Sequence, residues 1–362
     1  MFSSMRNWFA RYERPISSLS LFGGFVFDAV TLKRVDLFWE NIWVLGHLAI
    51  VAICIIWIHA KENKPKNEKD PAKTHFWLVN VLQFFFGGLL STYLVFYFRS
   101  ATLSVSWPFI LILAVAFIAN ESFKRHFARL GFQISLFFLS LFSFAIFIVP
   151  VIVHSIGPWV FVLSGVVSLI LMRLFLAILA RISKERFDNH KNIIFILIFF
   201  IFAGINALYF THLIPPIPLS LKDAGVYHSI ERNNEGNYVV TREEENWPDS
   251  FFFGEDFHEG PNTTTYVYSA IFSPSSLNLT VVHDWEYYNE SLQSWISMDR
   301  VKLPVVGGRD GGFRTYSDKE DLAAGLWRVN VETVQGEVIG RLRFTIIKTP
   351  EEPILKTEIK ID

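Results

Sequence analysis

One cysteine, Cys54, occurs in 362 residues, and it sits in an apolar run. A disulfide within the chain and a cysteine-rich metal cluster are both excluded. No Walker-type loop, Gly-x-Ser-x-Gly elbow, His-Glu-x-x-His pair or dinucleotide fingerprint is present, so the common phosphate-cradling, nucleophile-elbow and zinc-protease chemistries have no carrier. Internal repeats are absent too, which leaves the inverted-repeat plan of many secondary transporters without support. No catalytic residue, resident metal or cofactor follows from these patterns. Enzymatic activity stays open, with a non-enzymatic role preferred, and no nucleic-acid partner is expected.

Lys and Arg are also scarce in every second loop. They gather at Lys61, Lys64, Lys66, Lys69 and Lys73, then at Lys124, Arg125 and Arg129, then at Arg181, Lys184, Arg186 and Lys191, while the loops between hold little beyond Lys33, Arg34 and Arg99. Short basic loops are retained in the cytoplasm. The amino terminus, with Arg6, Arg11 and Arg14, is therefore expected inside as a retained first helix rather than a cleaved signal.

Uncharged windows long enough to cross about 30 Å of hydrocarbon, which takes roughly 20 helical residues, run from Asn41 to Ala60, Thr74 to Phe98, Ser100 to Asn120, Leu130 to Met172 and Asn192 to Leu221. His154, Gly157 and Pro158 divide the fourth into two spans, because proline lacks the amide hydrogen that an interior helical position needs. Pro15 to Leu32, carrying Asp28, is a weaker seventh candidate, either spanning or re-entrant. Pro215, Pro216 and Pro218 end the helical part.

Charge divides at the same place. Up to Leu221 there are 19 Lys and Arg against 10 Asp and Glu, a balance of +9; from Lys222 onward there are 14 against 24, a balance of −10. The expected organisation is a polytopic helical domain over 1–214, a linker with the first extracytoplasmic segments over 215–250, a β-sandwich over 251–349 and a tail over 350–362. Alternation of apolar and polar residues predicts strands over Thr264 to Phe272, Leu277 to Tyr287, Gln293 to Val305, Phe313 to Ser317, Leu326 to Val334 and Glu337 to Ile347. The fold class is thus a membrane bundle of about seven transmembrane helices followed by an all-β sandwich, immunoglobulin-like and antiparallel.

One hairpin can be registered. A two-residue turn at Gln335 and Gly336 sets Trp327 opposite Phe344 and Val329 opposite Leu342, and it places Arg328 opposite Arg343 and Asn330 opposite Arg341 on the other face. Like charges directly opposite are unfavourable unless neutralised, so a neighbouring strand must supply Asp or Glu, or the face takes an anion. Arg314, Arg328, Arg341 and Arg343 are the candidate contacts for an anionic envelope ligand or protein partner.

Within the membrane, Arg173 lies nine residues before Ile182, roughly 13 Å from the helix end at 1.5 Å per residue. A charge there requires a partner, and Glu121 is the nearest acidic candidate in depth. Asn80, Gln83, Ser91, Thr92, Gln133 and Asn206 read as polar contacts between helices. His283, on the strand face of Trp285, reads as a core histidine. Glu255, Asp256, His258 and Glu259 read as a solvated acidic loop rather than a closed metal site.

The segments VVHDWEYY, FRTYSDK and GLWRVNVETVQGEVIGRLRF resemble a bacterial domain of unknown function, family 2914, and FRSATLSVSWPF and IANES are similar to the membrane region that often precedes it. The resemblance implies a bacterial envelope protein and brings no assigned reaction or catalytic residue; the expected localisation is the bacterial inner membrane, with the β-domain periplasmic. Lipid bilayer is the one partner common to every reading, with transport or lipid handling through Arg173 and Glu121, and then envelope lipid or glycan modification, as alternatives to partner binding.

Overall fold

The protein was analysed as a computed structural model that describes residues 23–32, 37–62, 71–100, 103–122, 130–216, 218–234, 236–243, 255–260, 263–274, 277–307, 311–350 and 353–360, without side chains for 61–62, 71–77, 103–105 and 119–122. The chain divides into two compact units, a helical one over Met1–Arg99 and Ser106–Ile214 and a strand-rich one over Pro215–Asp362, with which Ser100–Val105 group.

Seven helices lie among the described residues: α1 over 23–31, α2 Phe38–Glu62, α3 Pro71–Ser100, α4 Leu103–Ser122, α5 Leu130–Val153, α6 Pro158–Ile182 and α7 Lys184–Phe210. Five of them, α2, α3, α5, α6 and α7, are long and apolar enough to cross a membrane. The α5–α6 break falls between Val153 and Pro158, where His154 and Gly157 take positive φ and Pro158 starts the next helix. Helix α7 ends at Phe210, before the prolines.

The last basic cluster is not a loop. Ser183 alone separates α6 from α7, so Arg181 ends one helix while Lys184, Arg186 and Lys191 begin the next. Of the first cluster, Lys61 lies in the last turn of α2 and Lys73 in the first turn of α3, while Lys64, Lys66 and Lys69, and all of Lys124, Arg125 and Arg129, lie outside the described residues.

Helix α5 is buried around most of its surface and packs on α6, α7 and α2. Phe142 stacks on Phe202 of α7, with centroids 5.6 Å apart, and Gly165 leaves room for that ring, since a Cβ there would come within 3.0 Å of it. His59 of α2 and Gln133 of α5 are buried and bonded at 2.9 Å, a polar contact that joins two helices. By contrast α7 turns Ile193, Phe195, Ile196, Phe199 and Phe200 outward. Helices apolar all round but covered on one side only need a nonpolar solvent on the other. Arg99, in the last turn of α3, donates to the carbonyls of Ala29 and Leu32 at the end of α1. The carboxyl ends of α1 and α3 are therefore level, as cation on helix C-terminus favours.

The strand-rich unit holds β1 Ser220–Tyr227, β2 Ser229–Arg232, β3 Tyr238–Glu243, β4 Glu255–Glu259, β5 Thr264–Phe272, β6 Leu279–Asn289, β7 Ser294–Val305, β8 Phe313–Glu320, β9 Gly325–Thr333, β10 Val338–Lys348 and β11 Leu355–Lys360. They form sheets ordered β1-β5-β8, β4-β10-β9-β6-β7 and β11-β3-β2. The first sheet is covered on both faces. Val226 and Val267 share a core with Phe257, Trp285, Trp327, Val329 and Phe344 of the five-stranded sheet, while their chain neighbours Tyr227 and Tyr268 pack with Ile230 and Val240 of the third. Side chains alternate across a strand, so β1 and β5 carry two cores. Residues 220–243 and 355–360, expected as linker and tail, are built into the sheets. One ladder, β4 with β10, is parallel rather than antiparallel.

The β9–β10 turn differs from the expected one. Gly336 donates to the Thr333 carbonyl and Thr333 to that of Glu337, both at 2.9 Å, which makes a three-residue loop of Val334, Gln335 and Gly336 with Gly336 at φ +90°. A register shift between Val338 and Gly340 offsets the extra loop residue, so Trp327 faces Phe344 and Arg328 faces Arg343 as expected. Open space surrounds Gly336. Replacing it with Ala is thus expected to cost only the left-handed backbone penalty, about 1 kcal/mol, read by urea unfolding; no loss would mean the turn relaxes to another form.

Candidate functional site

The five-stranded sheet buries one face and presents a charged one. Pairing across β10, β9, β6 and β7 aligns Arg341, Asn330, Asp284 and Arg300 in one row and Arg343, Arg328, Glu286 and Ser297 in the next. Two arginine edges thus flank a carboxylate centre. Glu286 accepts from Arg328 Nε and, at 2.8 Å, from Asn330 Nδ2; Asn330 Oδ1 in turn accepts from Arg341 Nε at 2.6 Å. One carboxylate on β6 therefore serves two arginines of other strands. The Arg328 guanidinium also lies 4.3 Å from the centroid of the Trp295 ring.

Arg300 pairs with Glu332 and stands 3.7 Å from Asp284. Burial, together with the neighbouring Asp284 and Glu286, pushes the Glu332 carboxyl up to about 7 although Arg300 opposes this. At the other edge burial, then Arg328 and Arg343, lower the pKa of Arg341. Arg343 is exposed and has no partner among the described residues.

Arg314 stands apart from this group. It is buried on β8, in the first sheet, and Nη1 donates to the Lys360 carbonyl of β11 at 3.1 Å. The structure brings together Arg328, Arg341 and Arg343 and gives Arg314 a structural bond elsewhere. Arg173 is exposed on α6 beside Ile170, Leu171 and Leu174, and the side chain of Glu121 lies outside those described. Trp285 and Trp327 are buried, and Trp295 is half-covered beneath Arg328.

His283 is fully buried between sheets. Its Nε2 meets Ser269 Oγ of β5 and its Nδ1 meets Ser317 Oγ of β8, both at 2.8 Å, and Trp285 Nε1 donates to the same Ser317 oxygen at 3.0 Å. With Ser317 donating to Nδ1, the proton of the neutral ring sits on Nε2 and every nitrogen is satisfied. Burial pushes the imidazole down to about 4.

A third group was not legible locally. Glu243 of β3 accepts from His228 Nε2 at 2.9 Å and from the ring and backbone N–H of His258 at 2.6 Å each. Burial would raise the Glu243 carboxyl, but these bonds hold it below the usual carboxylate range. His258 belongs to β4, a strand rather than a loop, with Phe257 and Glu259 turned to the buried side. Among the described residues no three or more His, Cys, Asp or Glu are arranged to hold a metal.

Residues 278–346, from β6 to β10, match the model of a family described as "Protein of unknown function (DUF2914)". The chain carries a DUF2914 domain at its carboxyl end. The charged rows above lie wholly within that domain, whereas Arg314's bond to Lys360 and the Glu243 group reach beyond it. No curated protein matches the chain. Among solved structures, a Listeria innocua β-glucosidase in complex with isofagomine is 10% identical with a TM-score of 0.18, covering 31% of this chain and 16% of that one. A Pseudomonas fluorescens alkylpurine DNA glycosylase bound to DNA containing an abasic site analog is 11% identical with a TM-score of 0.20, covering 85% and 99%. The chain spans only 16% of the length of the β-glucosidase, and likenesses at these TM-scores carry no statement about fold or activity.

Proposed function

We propose that this is a bacterial inner-membrane protein with seven spans and a cytoplasmic amino terminus. Its extracytoplasmic, immunoglobulin-like DUF2914 domain binds a protein partner or envelope ligand, and the bundle serves as anchor or signal-coupling element. The observation that carries the binding role is the charged face of the five-stranded sheet, where Arg341 and Arg343 form an edge with Arg328 behind them. The division of charge supports the orientation, with +9 before and −10 after the boundary. Level carboxyl ends of α1 and α3 support α1 as a span parallel to α3.

Transport or lipid handling through Arg173 and Glu121 is the second reading. Arg173 on an exposed apolar stripe fits a polar interior pathway less well than a binding role for the β-domain. Paired reporter fusions after Asp362 test the orientation. Alkaline phosphatase is expected to be active there and a green fluorescent protein dark; the reverse result rejects an extracytoplasmic β-domain.

A further inference from the structure

Arg328, Arg341 and Arg343 differ in what remains to be donated. Arg328 commits Nε to Glu286 and Arg341 commits Nε to Asn330, so both guanidinium planes are fixed. The Nη groups of both donate to no described residue, and Arg343 donates none of its N–H groups to one. Arg341 and Arg343 stand two residues apart on one face of β10, about 7 Å along the strand. That separation lets one small oxyanion accept from two guanidinium forks. Arg328, directly opposite Arg343, adds its field from the next strand.

We propose that this edge binds a single oxyanion group, a carboxylate or phosphate, held between Arg341 and Arg343; the site rests on the binding role proposed above and gives its ligand a chemistry. An anion relieves a like-charge contact that the protein leaves standing, since Glu286 reaches Arg328 and, through Asn330, Arg341, but not Arg343. Such a pair is otherwise unfavourable. Asp284, Glu286 and Glu332 lie on the β9 and β6 side of the arginines and Asp256 of β4 stands opposite Thr345 on the other side, so the ligand approaches over β10 at Arg341 and Arg343. Arg314 has no part in the site.

The full-length protein in neutral detergent is titrated with inorganic phosphate and with succinate, and, reconstituted, compared between phosphatidylcholine nanodiscs with and without phosphatidylglycerol. Binding of at least one probe, weakened by salt, is expected. Binding of the free anions identifies a soluble ligand, and binding confined to the anionic nanodiscs identifies a lipid phosphate. The double variant Arg341→Gln, Arg343→Gln is expected to weaken binding about tenfold or more, as loss of charge-assisted bonds requires. Lys302→Gln, which removes an exposed charge from β7, leaves it unchanged. Should the double variant fail to fold, Arg343→Lys alone, at an exposed position, keeps the charge and loses the fork, and several-fold weakening is expected. Wild-type protein that binds none of the probes, or variants that bind as well as wild type, overturn the site. Reporter fusions that still place the domain outside would then leave the membrane-anchored binding role standing without this ligand.

Discussion

Replacing Glu286 with alanine is expected to destabilise the DUF2914 domain by about 3 kcal/mol or more, the usual cost of removing one member of a buried ion pair. The Glu286 and Arg328 side chains are 13% and 15% exposed, so little solvent takes over from the lost carboxylate. The removal strands three groups at once. Arg328 loses its ion partner, Asn330 loses an acceptor, and Arg341 faces the Arg328 and Arg343 charges with Glu332 alone of its two neighbouring carboxylates left to oppose them. Adding Arg328→Leu should restore part of the loss, because the uncompensated charge goes with it, and a coupling of about 1–3 kcal/mol is expected from the double-mutant cycle. Urea unfolding of the detergent-solubilised chain, followed by hydrogen exchange in β6, β9 and β10, reads both values. A loss under half that size, or strictly additive variants, would mean that the arginines are held by something other than Glu286.

The carboxylate that neutralises the hairpin arginines was foreseeable as a type of residue but not as Glu286. Sequence periodicity registers two strands joined by a short turn; it does not reveal which strand lies on the far side of β9. That neighbour is β6, brought in by a ladder whose paired residues are some forty to fifty positions apart. The hairpin itself shows a second limit. Its core pairs agree with the expected register although the turn has three residues rather than two, because the irregularity between Val338 and Gly340 compensates. Alternating apolar residues constrain which faces meet, and they constrain turn geometry less.

Helices were legible wherever hydrophobicity alone decides them, as at the α5–α6 break. The α6–α7 corner was not, since a charged stretch reads as a loop whether or not its backbone is helical; here it is helical up to and beyond Ser183. The third sheet was missed for a related reason. Strands β2, β3 and β11 are short or carry mixed polar residues, and their stability comes from Ile230 and Val240 packing on the outer tyrosines of β1 and β5. Such partners are visible only once β1 and β5 are known to be buried on both faces. The bridge from Glu243 to His228 and His258 belongs to the same class, with its members fifteen residues apart on different elements.

Acid is expected to act on this domain through His283 and Glu332 with opposite signs. The His283 pKa is pushed down to about 4 by burial, against about 6.5 in an unfolded chain. Between those values the unfolded state binds the proton and the folded state does not, so stability falls as pH drops from 6.5 to 4 and levels off below. The full effect is on the order of 3 kcal/mol. For Glu332, raised to about 7, the folded state binds the proton first, so its contribution to stability grows as pH falls from 7 through the unfolded carboxyl range near 4.3. The wild-type profile between pH 7 and 4.5 therefore contains two opposing slopes, and each variant exposes one of them. Glu332→Gln should steepen the loss of stability in acid. His283→Gln, whose amide does not titrate, should lower stability at pH 7 by breaking the Ser269 and Ser317 bonds, yet reverse the trend so that the domain becomes more stable toward pH 5. Hydrogen exchange in β5, β6 and β8 reads the change where His283 joins the sheets. Parallel profiles for wild type and His283→Gln would show that the imidazole takes up its proton without cost to the folded state, so that burial does not hold it neutral.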